Sequence, residues 1–167
     1  AKEGKWIKGP GMDFFNALNK QYPNPPIIAE DLGDIDDDVR NLVKETGFPG
    51  MGVMQFAFLS DGDNTHMPYN YSQSTVAYTG THDNDTIKGW LSQLTPSDLK
   101  KAEDYLGLNE HEGYVWGTIR GGMSSVARLF VAQMQDYLEL SNETRINTPG
   151  TQEGNWRWRM LSDQIPY

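Results

Sequence analysis

Apolar residues recur along this chain in short blocks that differ in period, separated by clusters of glycine, proline and aspartate. Ile27-Ile28-Ala29 follows Pro25-Pro26 and gives way to Glu30-Asp31; the prolines bar a helix, so the block predicts a short strand. Asp34 then occupies an N-cap position, with Asp36, Asp37 and Asp38 in the first turn. Val39, Leu42 and Val43 follow at helical spacing, and Gly47 with Pro49-Gly50 ends the helix. Residues 51–59 (MGVMQFAFL) are apolar on both alternating faces apart from Gln55, the pattern of a strand covered on both sides. Residues 60–73 read as loop, including a turn at Asp61-Gly62-Asp63-Asn64. Residues 75–79, β-branched and aromatic, predict a second strand running into Gly80-Thr81-His82-Asp83-Asn84-Asp85-Thr86.

Beyond residue 86 the pattern turns helical. Thr95-Pro96-Ser97-Asp98 reads as a cap with proline at the first helical position. Val126, Leu129, Phe130, Met134, Tyr137 and Leu138 lie on one face at helical spacing, which predicts an amphipathic helix over 126–138. Residues 145–148 predict a last short strand before a loop at 149–155. Short buried strands alternating with helices mean an α/β fold with a parallel sheet.

Composition narrows the function. Twenty-three acidic against 14 basic residues give a net charge of −9, which repels phosphate backbones and argues against nucleic-acid binding. Hydrophobic residues at 37% and aromatics at 11% supply a core that a disordered chain lacks. The absence of cysteine removes disulfides, zinc–thiolate sites and thiol nucleophiles together. No run of 18 apolar residues and no secretory pattern occurs, so no membrane partner and a cytoplasmic setting are expected. The chain opens on AKEGKWIKGPGMDFF and closes on Ile165-Pro166-Tyr167, which predicts a piece of a longer polypeptide.

Two predicted strands end on carboxylates, Glu30-Asp31 and, beyond Thr81-His82, Asp83. Parallel α/β proteins bind ligands beyond the carboxyl ends of their strands. A protonated and an ionised carboxylate held there can cleave a glycosidic bond. The competing reading makes Asp31 and Asp83 caps and leaves Glu30 solvated. Asp34, Asp36, Asp38 and Glu45 have calcium-loop spacing, but the turn position that needs glycine is Val39, and a helix N-terminus accounts for them better. His82 with Asp83 and Asp85 has no second ligand motif, so hydrogen bonding suits it better than a metal. Trp156 and Trp158, with Tyr69 and Tyr71, are candidates for stacking on sugar rings or for core packing.

Several of these stretches resemble one family. Residues 27–33 (IIAEDLG), 48–52 (FPGMG), 55–58 (QFAF), 78–86 (YTGTHDNDT) and 147–159 (NTPGTQEGNWRWR) are similar, in order, to bacterial and plant 4-α-glucanotransferases. The family is also called amylomaltase or disproportionating enzyme, glycoside hydrolase family 77. GKWIKGPGMDFF near the start and Gln135-Asp136-Tyr137-Leu138 extend the likeness over nearly the whole chain. The resemblance implies a fragment of a TIM (β/α)8 barrel of the α-amylase clan, about strands five to eight. Residues 1–167 would then be a partial catalytic domain truncated at both ends. It also implies a retaining, double-displacement transfer of 1,4-α-glucan segments between maltooligosaccharides without a cofactor. Glu30 would be the acid/base and Asp83 the transition-state stabiliser, with Asp31, His82 and Asn155 contacting substrate. The family nucleophile, an aspartate in an RIDH-like segment, would lie upstream of this chain, so the isolated piece would be silent and self-associating. Tyr69 stands where the family has a histidine. An α-amylase-like hydrolase and a non-catalytic glucan-binding piece are the alternatives.

Overall fold

The chain divides into two units, Ala1–Met51 and Gly52–Tyr167; the computed structural model describes residues 4–5, 7–59 and 64–165. The turn read at Asp61 to Asp63 lies outside the described residues, as does Trp6.

The first unit holds two helices, α1 (Met12–Gln21) and α2 (Asp37–Thr46), neither with a fully buried residue. The cap of α2 is Asp36, two residues after the expected Asp34. Its Oδ1 accepts from the Val39 N–H at 3.0 Å, so the carboxylate that reaches a free amide of the first turn decides the start. Asp37 and Asp38 then lie by the positive end of the helix. Gly47, at φ +69°, closes α2 in the left-handed conformation, as its sequence position predicts. The strand expected at 27–29 is only an extended segment. Pro25 and Pro26 have no N–H to donate, and the Ile27 N–H turns back to the Pro25 carbonyl. One ladder-like bond remains, from Ala29 N–H to the Pro49 carbonyl at 2.9 Å.

Strand β1 (Gly50–Val53) passes into the second unit, where α3 (Met54–Ala57), β2 (Thr75–Tyr78), α4 (Ile87–Gln93), α5 (Pro96–Leu106), α6 (Tyr114–Met123), β3 (Leu129–Val131) and α7 (Met134–Tyr137) follow. The sheet has the order β1-β2-β3. Strands β2 and β3 run parallel, with Val76, Ala77 and Tyr78 opposite Leu129, Phe130 and Val131. Its core is Met54, Ala57, Phe58, Ile87, Trp90 and Ile119, closed by side chains of α5 and α6. Thr86 and Thr95 cap α4 and α5 through their hydroxyls, the latter where the sequence places it. Among the described residues no helix is long and apolar enough to cross a membrane.

Three further predicted elements differ. Residues 51–59 leave the strand after Val53 and wind into α3, because an all-apolar block suits a buried helical turn as well as a buried strand. The helix expected over 126–138 is instead β3 followed by α7. Its apolar stripe is split: Val126, Leu129 and Met134 are exposed, Phe130 and Tyr137 pack against the core, and the polar Gln135 and Asp136 are buried. Backbone pairing with β2 outcompetes the helical period there. Residues 145–148 form no strand, although the Asn147 N–H donates to the His82 carbonyl at 3.1 Å.

Candidate functional site

In the first unit, Glu30 is exposed at the end of the extended segment. Its neighbour Asp31 is half-buried, and its Oδ1 accepts from the Met51 N–H at 2.8 Å. A Cβ at position 50 would overlap the Asp31 carboxylate, so Gly50 is the residue that admits it. Asp31 thereby fastens the segment that presents Glu30 to the start of β1.

In the second unit, β2 ends in the loop Thr79 to Thr86, and this loop is pinned at both ends by one buried carboxylate. Asp136 accepts from the Thr79 hydroxyl at 2.6 Å and from the Ile87 N–H, the first of α4, at 2.7 Å. Burial pushes the Asp136 carboxyl above its ordinary pKa, while hydrogen bonds from Thr79 and from the Ile87 and Gln133 backbone pull the other way and only partly offset it. Inside the loop, Gln55 donates to the Asp85 carbonyl at 2.7 Å and Gln133 to the Thr81 carbonyl at 3.0 Å. A Cβ on residue 80 would come within 2.5 Å of the Gln55 amide nitrogen, so glycine is needed for this approach. Asn84 accepts from the Thr81 N–H and hydroxyl, both at 2.8 Å, which closes the turn from within.

A second clamp comes from residues 145–147. The Arg145 guanidinium donates to the Asp85 carboxylate, to the Asp83 carbonyl and to the Asn147 carbonyl. Asn147 donates its side-chain amide to Asp83 Oδ1 at 2.5 Å. His82 Nε2 lies 3.4 Å from the same oxygen. Asp83 is therefore half-exposed with one carboxylate oxygen engaged and the other, Oδ2, turned to no donor among the described residues. Such an anion, fixed in direction just past a buried strand, can meet developing positive charge or bond sugar hydroxyls without reorganising.

The loop at 148–156 completes this side. Asn155 accepts from the Thr148 N–H at 2.9 Å and donates to the Thr151 hydroxyl at 3.0 Å, so its amide braces the loop. The Trp156 N–H donates to the Ile146 carbonyl at 2.7 Å. Its indole lies 4.9 Å from the His82 ring and is 57% exposed. Trp158 is half-buried. Tyr69 packs edge-on against Tyr105 at 5.8 Å, and Tyr71 is buried with its hydroxyl on the His66 carbonyl. The structure thus brings His82, Asp83 and the loop of Asn155 together in the second unit, with Glu30 and Asp31 in the first. Reasoning from sequence passed over Asp136, Arg145 and Asn147 as site residues. Their motifs were visible, but only the fold shows a buried aspartate under the loop and a guanidinium across it.

Comparison with known proteins agrees over the same span. Residues 1–163 match the family model described as 4-alpha-glucanotransferase. The 4-alpha-glucanotransferase of Clostridium butyricum is 51% identical over 160 residues, covering 95% of this chain and 33% of its own length. A Solanum tuberosum relative, named as the chloroplastic/amyloplastic 4-alpha-glucanotransferase, is 48% identical over 159 residues, or 95% of this chain and 28% of its own. Among solved structures, the amylomaltase from Streptococcus agalactiae in complex with acarbose superposes with a TM-score of 0.94 at 37% identity, over 98% of this chain and 33% of that one. The chain spans about a third of the length of these relatives.

Proposed function

Because this chain belongs to the 4-alpha-glucanotransferase family, we propose that it is the acid/base-bearing part of an enzyme that moves 1,4-α-glucan segments between maltooligosaccharides. In this reading residues 1–167 supply about strands five to eight of a (β/α)8 barrel in a cytoplasmic protein. Glu30 donates a proton to the leaving glycosidic oxygen as an aspartate outside this chain attacks the anomeric carbon. Glu30 then takes a proton from the incoming sugar hydroxyl, which displaces the aspartate with retention. Asp83 holds hydroxyls of the distorted ring in the transition state, beside His82. Asp31 and Asn155 act at the substrate through the segments they hold in place. By analogy with the acarbose-bound relative, the protein also binds acarbose.

The observation that supports this most directly is the state of Asp83: half-exposed, past a buried parallel strand, with one oxygen held by Asn147 and the other open. In the full-length protein, maltotriose is converted to glucose and longer oligomers, and Glu30→Gln lowers that turnover about 10²–10⁴-fold while oligosaccharide still binds. Products consisting of reducing ends alone make the protein a hydrolase, and near-normal turnover in Glu30→Gln removes Glu30 from the role. The 167-residue piece alone is silent, and pairing at its open sheet edges, where Leu129 and Val131 of β3 are exposed, gives it a mass above one chain in light scattering.

A further inference from the structure

Beside Asp83, one aromatic residue is held against its own preferences. Trp156 has φ +62°, in the left-handed region that bulky side chains seldom adopt. The other described non-glycine residues at positive φ, Asn24 and Glu139, are polar, exposed and at bends. Within this chain the Trp156 ring lies outside the buried core, more than half exposed. The turn is nonetheless tightly specified. Gly154 at φ +83° precedes it, Asn155 braces it, and the Arg159 guanidinium donates to the Trp156 carbonyl at 3.2 Å. The outcome is a ring tilted 42° to the His82 imidazole, whose Nε2 in turn lies beside Asp83. An exposed apolar face and two hydroxyl-bonding groups stand side by side, and a pyranose offers the matching pair, a face of C–H bonds and a rim of hydroxyls.

We propose that Trp156 is a stacking platform for a glucosyl ring held at His82 and Asp83, and that the strained backbone at residue 156 is retained for that contact. The proposal rests on the glucan reading above and adds the residue that grips the sugar's apolar face. It makes an unusual demand: removing the indole should relax the backbone and weaken the ligand at once.

The test uses the full-length protein and acarbose, which serves as an uncleaved oligosaccharide. Trp156→Gly binds acarbose about tenfold more weakly by calorimetry. Its Tm is unchanged or higher, since glycine adopts positive φ freely. Trp156→Tyr keeps a ring and recovers most of the affinity. The change in tryptophan emission on adding acarbose is lost in Trp156→Phe. Unchanged affinity in Trp156→Gly overturns the platform, and a Tm lowered by more than about 5 °C makes the indole a structural residue instead. If the unsubstituted protein binds neither acarbose nor maltopentaose, the glucan reading fails and the platform with it. If it binds them and Trp156→Gly binds equally well, the platform alone fails.

Discussion

Replacing Asp136 by alanine should unfasten the loop that carries His82 and Asp83, and the size of the effect follows from its partners. The Thr79 hydroxyl and the Ile87 N–H donate to this carboxylate at 2.6 and 2.7 Å in a place closed to water, and the Gln133 backbone adds a lesser contact. Truncation orphans both donors, at about 1–3 kcal/mol each. Part of that is returned, because the buried carboxylate itself bears a desolvation cost, seen in its raised pKa. The balance is a loss of about 2–4 kcal/mol for Asp136→Ala. Asparagine retains one acceptor oxygen, so Asp136→Asn forfeits only one of the two bonds, about 1–2 kcal/mol. Urea unfolding of the full-length protein followed by intrinsic fluorescence measures both variants, and maltotriose turnover below the melting range reads the loop. The order wild type, Asn, Ala in stability, with turnover falling at least about tenfold in Ala, is the expected result. An alanine variant within about 1 kcal/mol of wild type, or one equal to asparagine, would refute the two-donor account.

Three further outcomes follow from the same loop. Asp83→Asn should reduce kcat and kcat/KM together with little change in KM, since an anion beside a developing oxocarbenium matters in the transition state; steady-state kinetics showing only a raised KM would make Asp83 a plain binding residue. Asn147→Ala should lower kcat about tenfold by freeing the Asp83 carboxylate, and should add little further loss in an Asp83→Asn background; additive losses in that double-mutant cycle would place Asn147's role elsewhere. Asp136 should also leave a signature in pH. Its pKa is raised on folding above the ordinary 3.8, so the pH-dependent part of its contribution to stability is full below that value and is lost as pH rises through the native pKa, while the packing and hydrogen-bond part remains. The Tm advantage of wild type over Asp136→Asn should shrink from pH 3.5 toward neutrality, and a widening gap would contradict the assignment.

Local chemistry made part of this protein legible without a structure. Thr95-Pro96 and Gly47 mark a helix start and a helix end because a hydroxyl cap, a fixed φ and a missing Cβ act within one turn of chain. The strand at 75–78 is legible for a similar reason, since β-branched and aromatic residues fill a pleated surface regardless of the partner strand. The carboxylates at positions 30, 31 and 83, the histidine at 82 and the amide at 155 are the groups that residue type and family motif put forward as candidates.

Tertiary contact decided the rest. The apolar block at 51–59 became part strand and part helical turn because burial on all sides leaves the period without information. The stripe at 126–138 gave up its helix because β2 offered Leu129, Phe130 and Val131 a parallel ladder that local spacing cannot foresee. What Asp136, Arg145 and Asn147 do depends on partners about fifty to sixty residues away along the chain, and the strained Trp156 meets a ring partner, His82, that only folding brings near. A sequence records which groups are available to accept, donate or stack; the direction in which each one faces is set by long-range contacts, and at this site direction is what turns a half-exposed aspartate into a chemical group.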